Sequence, residues 1–152
     1  MNRTTQPRSP EQVLPRIRAR LAEGLPCRLV VTGSSMLPFL RHGQDAVYLI
    51  PADGSIRVGD ILFYLRSANV PILHRVHKLL PDGTLIMCGD AQVGLEPIRR
   101  EQVLAKVSHV ERGGKTIPCT HISLRLSVRL WRMLRPLRPY LLAVMRKIRY
   151  FK

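Results

Sequence analysis

The chain has 152 residues, 45% of them hydrophobic, with 25 Lys and Arg against 10 Asp and Glu, a net charge of +15. That is the length of one domain, enough to bury about two-thirds of its unfolded surface. The charge is uneven, net +4 over residues 1–28, +2 over 29–120 and +9 over 121–152, where nine basic residues meet no acid. A near-neutral middle with basic ends argues against a uniformly basic nucleic-acid domain and for a basic attachment device.

In chain order, residues 1–8 read as a polar, disordered lead. "SPEQVLPRIRARLAEG" reads as a short helix: Ser9 suits the cap, Pro10 the first turn and Gln12 a capping box. Val13, Leu14, Ile17 and Leu21 recur at helical spacing, Gly24 suits the end, and Pro15 falls within the pattern where it tightens or breaks the first turn. From Leu29 the period shortens. Strands are expected near 28–32, 45–50, 60–66, 71–80, 84–88 and 103–110, with turns at 51–54, 81–83 and 112–114. "RVHKLLPDGTLIMCG" has the form of a hairpin around Asp82-Gly83. Short strands without intervening helices imply a mainly β, α+β chain whose antiparallel domain over 29–120 is largely closed. From His121 the pattern is helical again. Leu126, Leu130, Leu134, Leu137, Leu141, Val144 and Ile148 step by three or four, and Pro136 and Pro139 split the element into pieces near 122–135 and 139–150. This basic tail, 121–152, has the composition either of a helix lying in a membrane interface or of one packed on the domain.

Cys27, Cys88 and Cys119 are scattered and form no Cys-x-x-Cys pair, so neither a zinc site nor a disulfide framework is expected, and reduced intracellular thiols fit best. No export signal or run of about 18 apolar residues is legible. The residues that stand out chemically are in "TGSSMLPFL", 32–40, where two serines leave an apolar run before a proline. Serine catalysis requires a hydroxyl, a base within reach, a group that orients the base and donors for an oxyanion. Ser34 and Ser35 offer hydroxyls; His42, His74, His77, His109 and His121 offer bases. His74 and His77 have opposite parity on a strand, so only one faces a given side. Residue types alone do not choose among them.

"GSSMLPFL", "VGDILFYL", "ILHRVHKLLPDGTLIMCGDA" and "VLAKV", in this order over residues 29–110, resemble the serine peptidases of the type I signal peptidase and SOS-repressor superfamily. The resemblance implies a mostly β catalytic domain with its nucleophile just before the Met of Ser-Met-x-Pro, which is Ser35. It implies a general base immediately before Arg-Val, which is His74, in the arrangement of the archaeal and endoplasmic-reticulum enzymes where His replaces Lys. Asp90, in the Gly-Asp pair after the hairpin, becomes the orienting carboxylate. Asp60 falls in a structural box, where it suits a turn cap. Gly33 stands where many family members carry a hydroxyl that assists the oxyanion, leaving the Ser35 backbone N–H as the donor. "HGQDAVYL" separates Gly43 from Asp45 by Gln44, where the family usually has the pair adjacent.

The expectation is therefore a serine endopeptidase that cleaves a precursor or leader peptide through Ser35, His74 and Asp90, with Met36 lining a substrate pocket and no metal or cofactor. A catalytically weak or inactive peptide-binding scaffold of the same fold is the alternative. Arg125, Arg129, Trp131 and Arg132 are expected to attach the tail to an anionic membrane surface or a partner protein, with nucleic acid the least favoured partner. The expected location is cytoplasmic, peripheral on the inner face of the membrane.

Overall fold

The computed structural model describes residues 10–67 and 70–150. Helix α1, Pro10–Ala22, opens the chain; the expected cap at Ser9 lies outside the described residues. The helix runs through Pro15, and Leu25 N–H closes its end by donating to Arg20 O at 2.9 Å. Its apolar stripe is buried through Ile17 and Leu21, with Val13 and Leu14 alongside.

Eight strands follow: β1 Cys27–Val30, β2 Asp45–Ile50, β3 Ile61–Arg66, β4 Val70–Leu79, β5 Leu85–Cys88, β6 Glu96–Ile98, β7 Val103–Arg112 and β8 Lys115–Pro118. They form one sheet of antiparallel pairs in the order β1-β2-β7-β3-β4-β5-β6, with β8 pairing the second half of β7. Hydrogen bonds among the described residues do not close it: β1 and β6 end the path. The expected hairpin forms between β4 and β5, with Leu80 N–H donating to Thr84 O across the turn. Strands β6 and β8 were not expected. Each is only three or four residues long, too short for an alternating pattern, and each exists by pairing with an edge that the rest of the sheet supplies.

Strand β3 is central and covered on both faces, so all of Ile61, Leu62, Phe63 and Tyr64 are buried. Successive side chains point to opposite faces, and the core divides accordingly. Ile61 and Phe63 join Val47, Leu49, Val107 and α1 in one cluster; Leu62 and Tyr64 join Val76, Leu85, Met87 and Ile98 in the other.

Beyond β8 come α2, Ile122–Met133, a short 3-10 turn Arg135–Leu137, and α3, Arg138–Tyr150. Three side chains fix this unit to the segment after β5. Arg135 donates to Val93 O at 2.8 Å. Trp131 donates its indole N–H to Asp90 O at 2.7 Å and meets Phe39 edge-on. Arg138 is 1% exposed; it donates to Gly89 O at 3.0 Å and Gln92 O at 2.8 Å and lies over the Trp131 ring. No described helix is long and apolar enough to cross a membrane.

Candidate active site

Ser35 sits in the turn-rich link between β1 and β2, just before Met36 enters the core. The chain reaches it through Gly33, whose φ of +83° is a left-handed conformation and whose N–H donates to His42 Nδ1 at 2.9 Å. The space around Gly33 is open, so backbone conformation excludes a larger residue there, and a side chain with a hydroxyl would be strained. The Leu37–Pro38 peptide that follows is cis. At 2.8 Å, Ser35 O accepts the Ala91 N–H, and a Cβ built on Gly89 would fall 2.7 Å from that same oxygen. Glycine at 89 is what lets the Ser35 backbone lie directly on the segment after β5. The Ser35 N–H makes no hydrogen bond among the described residues.

His74 is on β4, opposite Leu62 of β3, and is 4% exposed. Its neighbour Arg75 is opposite Cys88, so one further antiparallel step sets Gly89 beside His74. Ser35 therefore rests on Gly89, and the β4–β5 register, continued one step beyond its last ladder pair, leads from that glycine toward His74; Ser35 does not itself line the cleft at His74. No hydrogen bond joins Ser35 and His74 among the described residues; such bonds commonly tighten only when substrate is bound.

The imidazole is held from behind. His74 Nδ1 is 3.3 Å from the Tyr64 hydroxyl, which donates to Glu96 Oε2 at 3.1 Å, and Arg66 holds Glu96 with its Nε at 2.6 Å. The polarity of this chain follows from its end. The Arg66 hydrogen bonds hold the Glu96 carboxyl below its usual range, so Glu96 only accepts. Tyr64 spends its proton on Glu96, and burial followed by the Glu96 charge pushes its own titration upward, so it stays a donor. Its oxygen can then accept from Nδ1–H, which assigns the proton to Nδ1 and leaves the Nε2 lone pair free. Burial lowers the His74 pKa from 6.5, outweighing the Glu96 charge, so the ring is neutral at pH 7.

Asp90, expected behind that ring, accepts its side-chain hydrogen bonds from Arg75 instead. Its buried carboxylate grips Arg75, with Nε at 2.8 Å from Oδ1 and Nη2 at 2.6 Å from Oδ2. Arg75 and His74 are adjacent on β4 and so point to opposite faces; Asp90 makes no hydrogen bond to the ring among the described residues and reaches it only through its charge, which opposes the lowering of the His74 pKa by burial. Arg75 also donates to Gly59 O and lies over the Phe39 ring. The pair thus ties the Asp90 segment to β4 and to the link that carries Ser35. Asp60 accepts the Arg57 N–H and closes its own turn. Asp45, after the extra Gln44, is buried and clamped by Arg112 and Arg41; burial alone would raise its pKa, but those cations outweigh burial and hold it at about 2.

A cleft of about 470 Å³ opens at His74, lined by Met87, Val93, Leu95 and Glu96 among others. Met36, expected to line a substrate pocket, is 2% exposed and belongs to the core beside Leu40. Its apolar side chain gains more by joining that cluster than by facing a wet cleft. Val93 and Leu95, both substantially exposed, stand at the cleft instead. A larger groove of about 860 Å³ lies on the α2 side and contains neither Ser35 nor His74. Of the expected attachment residues, Arg125 and Arg129 are exposed, whereas Trp131 and Arg132 turn inward, Arg132 donating to His77 O at 2.6 Å.

The thiols do not compete as nucleophiles. Cys119 is pushed up to about 11 by burial, burial also raises Cys27, and Cys88 is buried against Arg138. Among the described residues no three His, Cys, Asp or Glu side chains could jointly hold a metal ion. The sequence reading missed Tyr64, Glu96 and Arg75. The signal for Arg75 was its place beside His74; Glu96 lies on the short β6, which had no signal of its own. No family model matches the chain, and no curated protein matches it.

Proposed function

We propose that the protein is a serine endopeptidase that cleaves an extended precursor or leader peptide, with Ser35 as nucleophile and His74 as general base. The observation that carries this reading is the close approach of the Ser35 backbone to Gly89, at the end of the strand pair that includes His74, with the His74 ring held by Tyr64 and Glu96 so that Nε2 is free. In the proposed reaction Ser35 Oγ attacks the peptide carbonyl carbon as its proton passes to His74 Nε2. The Ser35 N–H supports the oxyanion. The carbon–nitrogen bond then breaks, His74 returns the proton to the leaving amine, and an acyl-enzyme remains. Water, deprotonated by the same ring, hydrolyses it. Asp90 and Arg75 serve as positioning residues that hold the Gly89–Ala91 segment under Ser35.

The path from β5 to β6 ends at an edge beside the His74 cleft. An extended peptide can add to that edge by main-chain hydrogen bonds and set apolar side chains against Val93 and Leu95. The test is acylation by a fluorophosphonate, read as a mass increase on intact protein and mapped by peptide sequencing. The expected adduct is on Ser35, absent in Ser35→Ala and much slower in His74→Ala. An unlabelled Ser35 in folded protein would leave a peptide-binding scaffold as the better reading.

A further inference from the structure

The outward face of α2 and α3 is apolar along its whole length. Ile122, Leu126, Leu130, Met133, Leu137, Tyr140, Val144 and Ile148 step by three or four without a break across the turn, and all are between 50% and 74% exposed. On α2 the orientation is fixed, because its opposite face is committed to the domain through Val128 and Trp131, and Arg138 anchors the start of α3. Large side chains held out of the core in a continuous stripe mark a surface that something covers.

Charge indicates what covers it. Residues 121–152 contain nine Lys and Arg and no Asp or Glu. Arg125 and Arg129 flank the stripe and, with Arg57, line the 860 Å³ groove, whose wall also includes Ile122 and Leu126. None of these three arginines forms a salt bridge among the described residues. A second copy of the chain would bring two such acid-free rows together, like charge against like. An anionic bilayer takes both components at once: phosphates for the arginines and the acyl boundary for the stripe. The helices, 12 and 13 residues long, are too short to cross and have the length to lie flat.

We infer that the outward face of α2 and α3 is a docking surface for an anionic lipid bilayer, lying in the headgroup plane with the Ile122–Ile148 stripe turned into the lipid. This goes beyond the peptidase reading and stands apart from it, since no residue of the stripe touches Ser35 or His74. The test is flotation of the full-length protein with vesicles of phosphatidylcholine alone and of equimolar phosphatidylcholine and phosphatidylglycerol. Binding to the anionic vesicles is expected to exceed binding to the neutral ones by about tenfold or more and to fall as salt is raised. Leu126→Ser/Leu130→Ser removes two exposed apolar side chains and is expected to weaken anionic binding by about tenfold or more, with an unchanged melting temperature. Arg125→Gln/Arg129→Gln is expected to weaken it by about tenfold and to flatten the salt dependence. A protein that stays with the lipid-free fraction, or a serine double variant that floats as well as its parent, overturns the inference. So does a lipid-free dimer that the serine substitutions dissociate, because a second copy then covers the face. Fluorophosphonate labelling of Ser35 in the same samples reads the peptidase proposal independently.

Discussion

Gly89→Ala is the sharpest perturbation of the proposed site. Gly89 has an ordinary φ, so alanine meets no conformational penalty there; the obstacle is the contact. The added Cβ would lie 2.7 Å from Ser35 O and 2.8 Å from Gln92 Oε1. Gln92 is the end of a flexible side chain and can move away. Ser35 O is backbone and must retreat by about half an ångström or more to reach ordinary contact, which loosens its 2.8 Å hydrogen bond from Ala91 N–H. Overpacking of this kind costs about 1–3 kcal/mol, and in a chain of this size each kcal/mol lowers Tm by about 2–4 °C. Misplacing a nucleophile by about 1 Å can slow reaction by about 10²-fold, so a shift of the Ser35 backbone by half that should slow it by about tenfold. The assays are thermal unfolding and the rate of Ser35 acylation by a fluorophosphonate. Gly54→Ala is the control: it too has no left-handed φ, nothing stands within 4 Å of its Cβ, and it should leave both readouts unchanged or raise Tm slightly. A Gly89→Ala protein with the parent's Tm and acylation rate would refute the claim that Ser35 rests on Gly89.

Tyr64→Phe removes the hydroxyl between His74 and Glu96; acylation should slow by about 10–100-fold while Tm falls only by what one buried hydrogen bond contributes, about 1 kcal/mol. Asp90→Asn leaves Arg75 as a buried cation without its counter-charge and should cost about 3–5 kcal/mol in urea unfolding. Replacing the pair together, Arg75→Leu with Asp90→Val, should cost less than Asp90→Asn alone because no orphan charge remains; a larger cost would refute the burial argument. The pH dependence has a definite sign. His74 and His77 both titrate below 6.5 in the folded protein, chiefly through burial, so the unfolded chain takes up their protons first as pH falls. Stability should be flat just above 6.5 and decline below it towards the lowered folded values, and the acid limb of Ser35 acylation should also lie below 6.5. A limb above 6.5 would exclude the assigned environment of His74.

The tail shows where local and tertiary information part. Its helical period was legible because three- and four-residue steps are a property of the chain itself. Whether the apolar face turned inward or outward was not, because α2 and α3 carry apolar residues on more than one side. Packing chose: Trp131 reaches Asp90 O, Arg138 caps the carbonyls of Gly89 and Gln92, and the Leu126–Leu130 side is left exposed. Two residues read from sequence as outward-facing attachments, Trp131 and Arg132, became internal fasteners.

The sequence by itself determined the helices at the two ends, six of the eight strands, the hairpin at Asp82-Gly83 and the antiparallel α+β class, since each rests on spacing within a few residues; the choice of Ser35 and His74 as candidates came from the family resemblance and not from spacing. Tertiary structure decided the partners. Parity on β4 sent Arg75, and with it the side-chain hydrogen bonds of Asp90, to the face opposite His74, so the group behind the imidazole is Tyr64 with Glu96 from a strand too short to announce itself. Core volume drew Met36 inward, and Gly89, separated from Ser35 by more than fifty residues of sequence, brought its backbone and that of Ser35 together. Long-range contacts like these depend on which strands become neighbours, and no local pattern encodes that.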